Sequence, residues 1–159
     1  MTKSRSVDEE RWADLADLVL MISREIQYRG YADESAVPLT QSEGIVMRYL
    51  LKDGPAAPSR IAAATGLQRT NLSTTLRGLD GKGLIERQAD PDDGRGVAVS
   101  PTEHGRGNYA VVRQEWATAV SEAVAGDDTH LDAAVALLSG IAEGLGRTRP
   151  GTPSSHPPA

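Results

Sequence analysis

A mainly α-helical fold with one β-hairpin is what this 159-residue sequence predicts, and three patterns predict it. Apolar residues recur at helical spacing over most of the chain. Ser/Thr-x-x-Glu segments and glycines punctuate that pattern as helix starts and stops. The period switches to two only once, between Leu84 and Val99, where two short runs flank a stretch rich in turn formers.

The elements follow in order. Ser6-Val7-Asp8-Glu9 has capping-box spacing, and Trp12, Leu15, Val19, Ile22 and Ile26 behind it predict a helix over about 6–30. Within it Leu18-Val19-Leu20-Met21-Ile22 is apolar on every side, so it needs cover on both faces, and a second subunit is the simplest cover. Thr40-Gln41-Ser42-Glu43 is a second capping box, followed by Ile45, Val46, Tyr49 and Leu50 on one face and a stop at Gly54-Pro55. Pro58 opens a short helix with Ile61 and Ala64 inward, and Gly66 ends it. A third helix over Gln68–Lys82 buries Leu72, Leu76 and Leu79 and stops at Gly83. Three short helices with tight glycine turns form a helix-turn-helix core. Leu84–Gln88 and Val97–Val99 then make the hairpin, a wing with residues 90–96 at its tip. Ser100-Pro101-Thr102-Glu103 restarts a helix with proline first, striped by Tyr109, Val112, Trp116, Ala119 and Ala123. Thr129 caps a last helix striped by Leu131, Val135, Leu138, Ile141 and Leu145. Four prolines in the 13 residues from Arg147 predict a disordered tail over 147–159.

Composition narrows the function. The length suits one domain, and 39% hydrophobic with 25% charged residues is ordinary for a globular chain. With no cysteine, disulfides, thiolate metal sites, cysteine nucleophiles and thiol-based redox sensing are excluded. Three scattered histidines make no metal motif, and neither a signal peptide nor a membrane span is expected, so the expected location is cytoplasmic. The net charge of −5 hides an asymmetry: between Arg48 and Arg106 nine Lys and Arg face seven Asp and Glu, while the remainder holds eight against fifteen. A mildly basic centre has acidic flanks.

Function concentrates between Ser59 and Arg95. Placed at 100° steps, the helix over Gln68–Lys82 turns Thr70, Thr74, Arg77, Gly78 and Gly81 away from its leucines, with Asn71 and Ser73 flanking. Short hydrogen-bonding groups followed by an arginine suit a major groove, where Asn pairs with adenine and Arg with guanine. Gly78 and Gly81, costly in a helix, would leave room for a sugar-phosphate backbone. Arg95 at the hairpin tip suits a narrow minor groove, with Asp93 placed to support it.

These segments resemble the MarR family of transcriptional regulators. Leu79–Arg87 resembles that family's link from recognition helix to wing, Asp93-Gly94-Arg95 its Asp-x-Arg wing signature, and Thr102–Arg106 its Thr-Glu-x-Gly-Arg segment. Leu39–Glu43 resembles the start of the helix before the DNA-binding pair, and the likeness spans about Val7 to Leu145. The resemblance implies a winged helix-turn-helix head over about 40–100 and a helical dimerisation region over about 6–30 and 102–146, in one domain over 1–146. It implies a homodimer on double-stranded DNA at a palindromic operator, a repressor released by a small effector. By position, Arg69, Thr70, Asn71, Ser73, Thr74 and Arg77 would meet bases or phosphates, Ser59 and Arg60 phosphates, and Arg95 the minor groove. Gln68 stands where the family usually has a small N-cap residue. Family members bind aromatic or phenolic ligands beside the head. Trp12, Tyr28, Tyr31, Tyr49, Tyr109, Arg113 and Trp116 are the candidates here, with the two tryptophans read foremost as core. An enzyme would need a convergent acid, base or nucleophile, for which His104 is the sole candidate, so none is expected, nor a cofactor or metal. A winged helix used only for protein contact or dimerisation is the alternative; it would not require the polar α-helical face or the wing arginine.

Overall fold

The computed structural model describes residues 2–89 and 96–149. In order these form α1 (Thr2–Tyr28), α2 (Gln41–Asp53), α3 (Pro58–Thr65), α4 (Arg69–Gly81), β1 (Ile85–Ala89), β2 (Val97–Pro101), α5 (Glu103–Ala123) and α6 (Leu131–Arg147). The predicted mainly α fold with one hairpin is therefore the one observed. The tail predicted over 147–159 was set too early, since Arg147 is the last residue of α6 and the Arg149 guanidinium donates to the Ala64 carbonyl at 3.0 Å; from residue 150 on it lies outside the described residues. No helix among those described is long and apolar enough to cross a membrane.

One core holds the head together. It joins Val46, Met47 and Leu50 of α2, Ile61 of α3, Leu72, Leu76 and Leu79 of α4, Leu84, Ile85 and Val99 of the hairpin, and Tyr109 and Val112 of α5. β1 and β2 are antiparallel, with Ile85 opposite Pro101 and Ala89 opposite Val97. Ala56 adds a one-residue bridge to Val99, its N–H donating to the Val99 carbonyl at 3.1 Å and its carbonyl accepting in return at 2.9 Å. A single residue between Pro55 and Pro58 carries no alternation, so the sequence did not announce it.

Local signals act largely as predicted. Thr40 caps α2 reciprocally: its hydroxyl accepts from the Glu43 N–H at 3.2 Å, and Glu43 Oε2 accepts from the Thr40 N–H at 2.8 Å. Gly66 takes the left-handed conformation (φ 73°) that ends α3, its N–H bonded to the Ala62 carbonyl at 2.8 Å.

Several expectations need correcting. Ser6 is not a cap, because α1 starts four residues earlier at Thr2, with no breaker before it. Met47 belongs to the buried face of α2 and Ile45 does not; Ala62, not Ala64, packs inward from α3. Pro101 ends β2 instead of opening α5, at a strand end where its missing N–H costs nothing. Thr102 is the cap, accepting from the Gly105 N–H at 2.9 Å while its hydroxyl donates to the Gly83 carbonyl at 2.7 Å. Thr129 does not cap α6, since Asp127 already takes its N–H (3.0 Å) and hydroxyl (2.6 Å), and His130 stands at the cap. Those two bonds also hold the Asp127 carboxyl below its ordinary pKa.

α1 and α6 stand apart from this core. α6 buries no residue, and on α1 Leu20 and Met21 are 69% and 63% exposed. Trp12, expected in the core, is 57% exposed, because no element among the described residues covers that face of α1.

Candidate nucleic-acid interface

The surface of α4 is built by what its opposite side buries. Leu72, Thr75, Leu76 and Leu79 face the core, with the Thr75 hydroxyl satisfied by the Asn71 carbonyl at 2.9 Å. That register leaves Arg69, Thr70, Asn71, Ser73, Thr74 and Arg77 exposed along one side. Gln68, at the N-cap with extended backbone (ψ 148°), makes no side-chain cap bond, so the first-turn N–H groups of α4 keep their positive dipole end open.

Beside α4 lies a shallow hollow lined by Pro58, Ser59, Arg69, Leu72, Ser73, Leu76 and Arg87. It joins three predicted residues, Ser59, Arg69 and Ser73, from two helices. Arg60 is exposed on α3 but outside the hollow. Arg87 is the residue that sequence reasoning missed. The signal was present: a two-residue step along β1 from buried Ile85 puts Arg87 on the same face, toward α4. Neither Arg69, Arg77 nor Arg87 has a carboxylate partner among the described residues. Unpaired guanidiniums around hydroxyls can take an anion bidentately.

Gly78 is not part of this outward face. A Cβ there would lie 2.6 Å from Glu43 Oε1, so Gly78 makes room for α2 and not for a sugar-phosphate backbone; Gly81, with nothing within 4 Å, does face open space. Asp93 and Arg95 lie outside the described residues. Ala89 and Val97 are the last described pair of the hairpin. His104, in the first turn of α5, is exposed.

A second feature separates the head from the C-terminal helices. An open cleft of about 590 Å³ is lined by Gln41, Gly44, Ile45 and Arg48 of α2, by Tyr109, Arg113, Trp116 and Val120 of α5, and by Leu131. Tyr109 and Trp116 meet edge to face, ring centroids 6.3 Å apart. Gly44 lets the Trp116 ring approach, since a Cβ would stand 3.3 Å from it. The Trp116 Nε1 is buried with no hydrogen-bond partner among the described residues. Burial pushes the Tyr109 phenol above its ordinary pKa, against the opposing pull of the Arg113 and Arg48 guanidiniums. Of the predicted ligand residues, then, Tyr109, Arg113 and Trp116 come together. Tyr31 lines a neighbouring hollow with Trp116, Tyr49 packs against the core, Tyr28 is 86% exposed, and Trp12 is one of several α1 residues that line an open hollow with Leu137 of α6.

Residues 37–96 match the MarR family. An uncharacterised HTH-type transcriptional regulator of Mycobacterium bovis and an HTH-type transcriptional regulator of Mycobacterium tuberculosis are each 26% identical over 107 residues, 65% of this chain and 72% of theirs. Among solved structures, the transcriptional regulator BldR from Sulfolobus solfataricus shares the fold at a TM-score of 0.67 and 18% identity, over 88% of this chain and 95% of that one. A probable transcriptional regulator from Pseudomonas aeruginosa gives 0.64 at 22% identity, over 85% and 98%. A MarR family protein from Bacillus stearothermophilus gives 0.65 at 14%, over 91% and 97%. The shared fold thus reaches well beyond the head.

Proposed function

The chain belongs to the MarR family of transcriptional regulators, and from that premise we propose that it is a homodimeric repressor that binds a palindromic operator and is released by a small aromatic or phenolic effector. The observation that carries the DNA-binding part is the row of exposed polar and basic side chains on α4, its arginines without carboxylate partners among the described residues, continuous with the hollow between Ser59, Arg69, Ser73 and Arg87. Thr70, Asn71, Ser73, Thr74 and Arg77 would read base edges, while Ser59, Arg60, Arg69 and Arg87 would hold phosphates. Arg95, steadied by Asp93, would enter the minor groove.

Residues 1–146 act as one unit on this reading. Bare apolar surface on α1 and α6 supports a second copy as its cover: Leu18–Ile22, Leu131, Val135, Leu138 and Leu145 are all more than 40% exposed. Two recognition helices would then enter successive major grooves about 34 Å apart. The cleft beside Tyr109 and Trp116 supports an effector site, its apolar walls, buried indole N–H and two arginines suiting an aromatic ring with an acceptor group. A coupling of about 1–3 kcal/mol between that site and the spacing of the heads would release DNA.

The test is selection of the purified protein against random duplexes, with winners remeasured by anisotropy at two salt concentrations. An enriched inverted repeat whose affinity falls steeply with salt is expected. No enrichment and no salt-dependent binding would overturn DNA binding and leave a protein-contact module.

A further inference from the structure

Glu43 does more than close a capping box. It is 4% exposed at the start of α2, and its carboxylate reaches the far end of α4. Oε2 accepts from Lys82 Nζ at 2.6 Å as well as from the Thr40 N–H. Oε1 sits over Gly78, where a Cβ would be 2.6 Å away. Lys82 is the C-cap residue of α4, and its Nζ also donates to the Pro38 carbonyl at 2.8 Å. One ammonium therefore ties the end of the recognition helix to both the entry and the first turn of α2.

A capping glutamate needs no cation. Its box is complete with Thr40, and burying its charge is unfavourable unless the charge is paired. What the added partners bring is geometry. α4 has 13 residues, so at 1.5 Å per residue it is roughly 20 Å long. A rotation of a few degrees about its last turn then moves its first turn by about 1 Å. The exposed side chains from Thr70 to Arg77 ride on that lever.

We propose that Glu43 is a positioning residue for DNA reading, holding α4 at its working angle through Lys82 and against Gly78 without touching DNA. This rests on the DNA-binding reading above. It also assigns Gly78 to packing against α2.

The experiment compares the full chain with Glu43→Ala, Glu43→Gln, Lys82→Met, Gly78→Ala, Thr40→Ala and the double variant Gly78→Ala/Glu43→Ala. Each is measured for affinity to the selected duplex and to a random duplex, for thermal unfolding, and for amide hydrogen exchange. Glu43→Ala and Lys82→Met are expected to lose about tenfold or more on the selected duplex, the scale of one base contact, with less than about twofold lost on random DNA. Glu43→Gln, which keeps an acceptor for Lys82, retains most of the discrimination. Thr40→Ala removes the box but not the lysine pair, and leaves the ratio of the two affinities near that of the wild type. Gly78→Ala loses discrimination too, and the double variant is no worse than Glu43→Ala, because the collision is gone. Amides of Leu79 to Lys82 exchange faster in Glu43→Ala while those of α5 do not change.

Equal losses on both duplexes that track a lowered Tm would reduce Glu43 to a structural role and overturn the proposal. So would multiplying losses in the double variant, which would return Gly78 to a DNA contact. Unchanged exchange in α4 overturns it as well. Should the wild type bind no duplex at all, the DNA-binding reading fails, and the exchange measurement alone still decides whether Glu43 holds α4.

Discussion

Arg77 stands exposed on α4 with no carboxylate beside it among the described residues, and Arg87 rims the hollow with Ser59 and Arg69. The two arginines should fail differently. Arg77→Ala is expected to relax base preference at one position of each half-site by about 1–3 kcal/mol, read by competition against single-base variants of the selected duplex. A loss spread evenly over all sequences would make it a phosphate contact instead. Arg87→Ala is expected to weaken selected and random DNA alike and to lower the salt slope by about 1, as removal of one phosphate contact does. A changed base preference with an unchanged slope would contradict that. Arg77 was legible from helical angle alone. Arg87 was not noticed, because the hollow that makes it useful is completed by Pro58 and Ser59 of α3, which lie far from β1 in sequence.

Helix ends carry the next scale. Thr40→Ala removes one hydroxyl acceptor from the first turn of α2 and should cost about 1 kcal/mol, measured as a shift in the denaturation midpoint. Gly66 is under a double constraint. Its φ of 73° disfavours any side chain, and a Cβ there would come 2.5 Å from the Arg149 guanidinium, which donates to the Ala63 and Ala64 carbonyls at 3.4 and 3.0 Å. Those carbonyls close the negative end of α3, where a cation is favourable. Gly66→Ala is therefore expected to cost about 1–2 kcal/mol from the backbone alone, the usual penalty of a left-handed L-residue. Equal stability to denaturant would show that neither constraint binds. Caps of this kind were readable where a side chain and its partner are three residues apart. The cap of α5 was misplaced by two residues and that of α6 by one, because Thr102 is fixed by Gly83 and Thr129 is already held by Asp127.

At the scale of the whole molecule, the head is covered and the two long outer helices are not. Leu20, 69% exposed on α1, should become buried when a second copy docks. Leu20→Glu is expected to yield a monomer by sedimentation while the far-ultraviolet circular dichroism stays close to that of the wild type, because the head's core does not include α1. Operator affinity should fall with it, as one head then holds one half-site. A variant that keeps the dimer mass would place the interface elsewhere.

The sequence by itself determined the order of elements, the buried faces of α3 and α4 at Ile61 and at Leu72, Leu76 and Leu79, the cap at Thr40, the pairing of β1 with β2, and the apolar run over Leu18–Ile22 of α1. Each of these is written in spacings of two to four residues, where periodicity and capping act. Only the tertiary structure decided that Gly78 faces Glu43, that Glu43 takes Lys82, that Arg87 joins Ser59 and Arg69, and that Trp116 and not Trp12 borders the cleft. Such pairings join residues dozens of positions apart. They depend on the distance and angle at which packed elements meet, which no local pattern encodes.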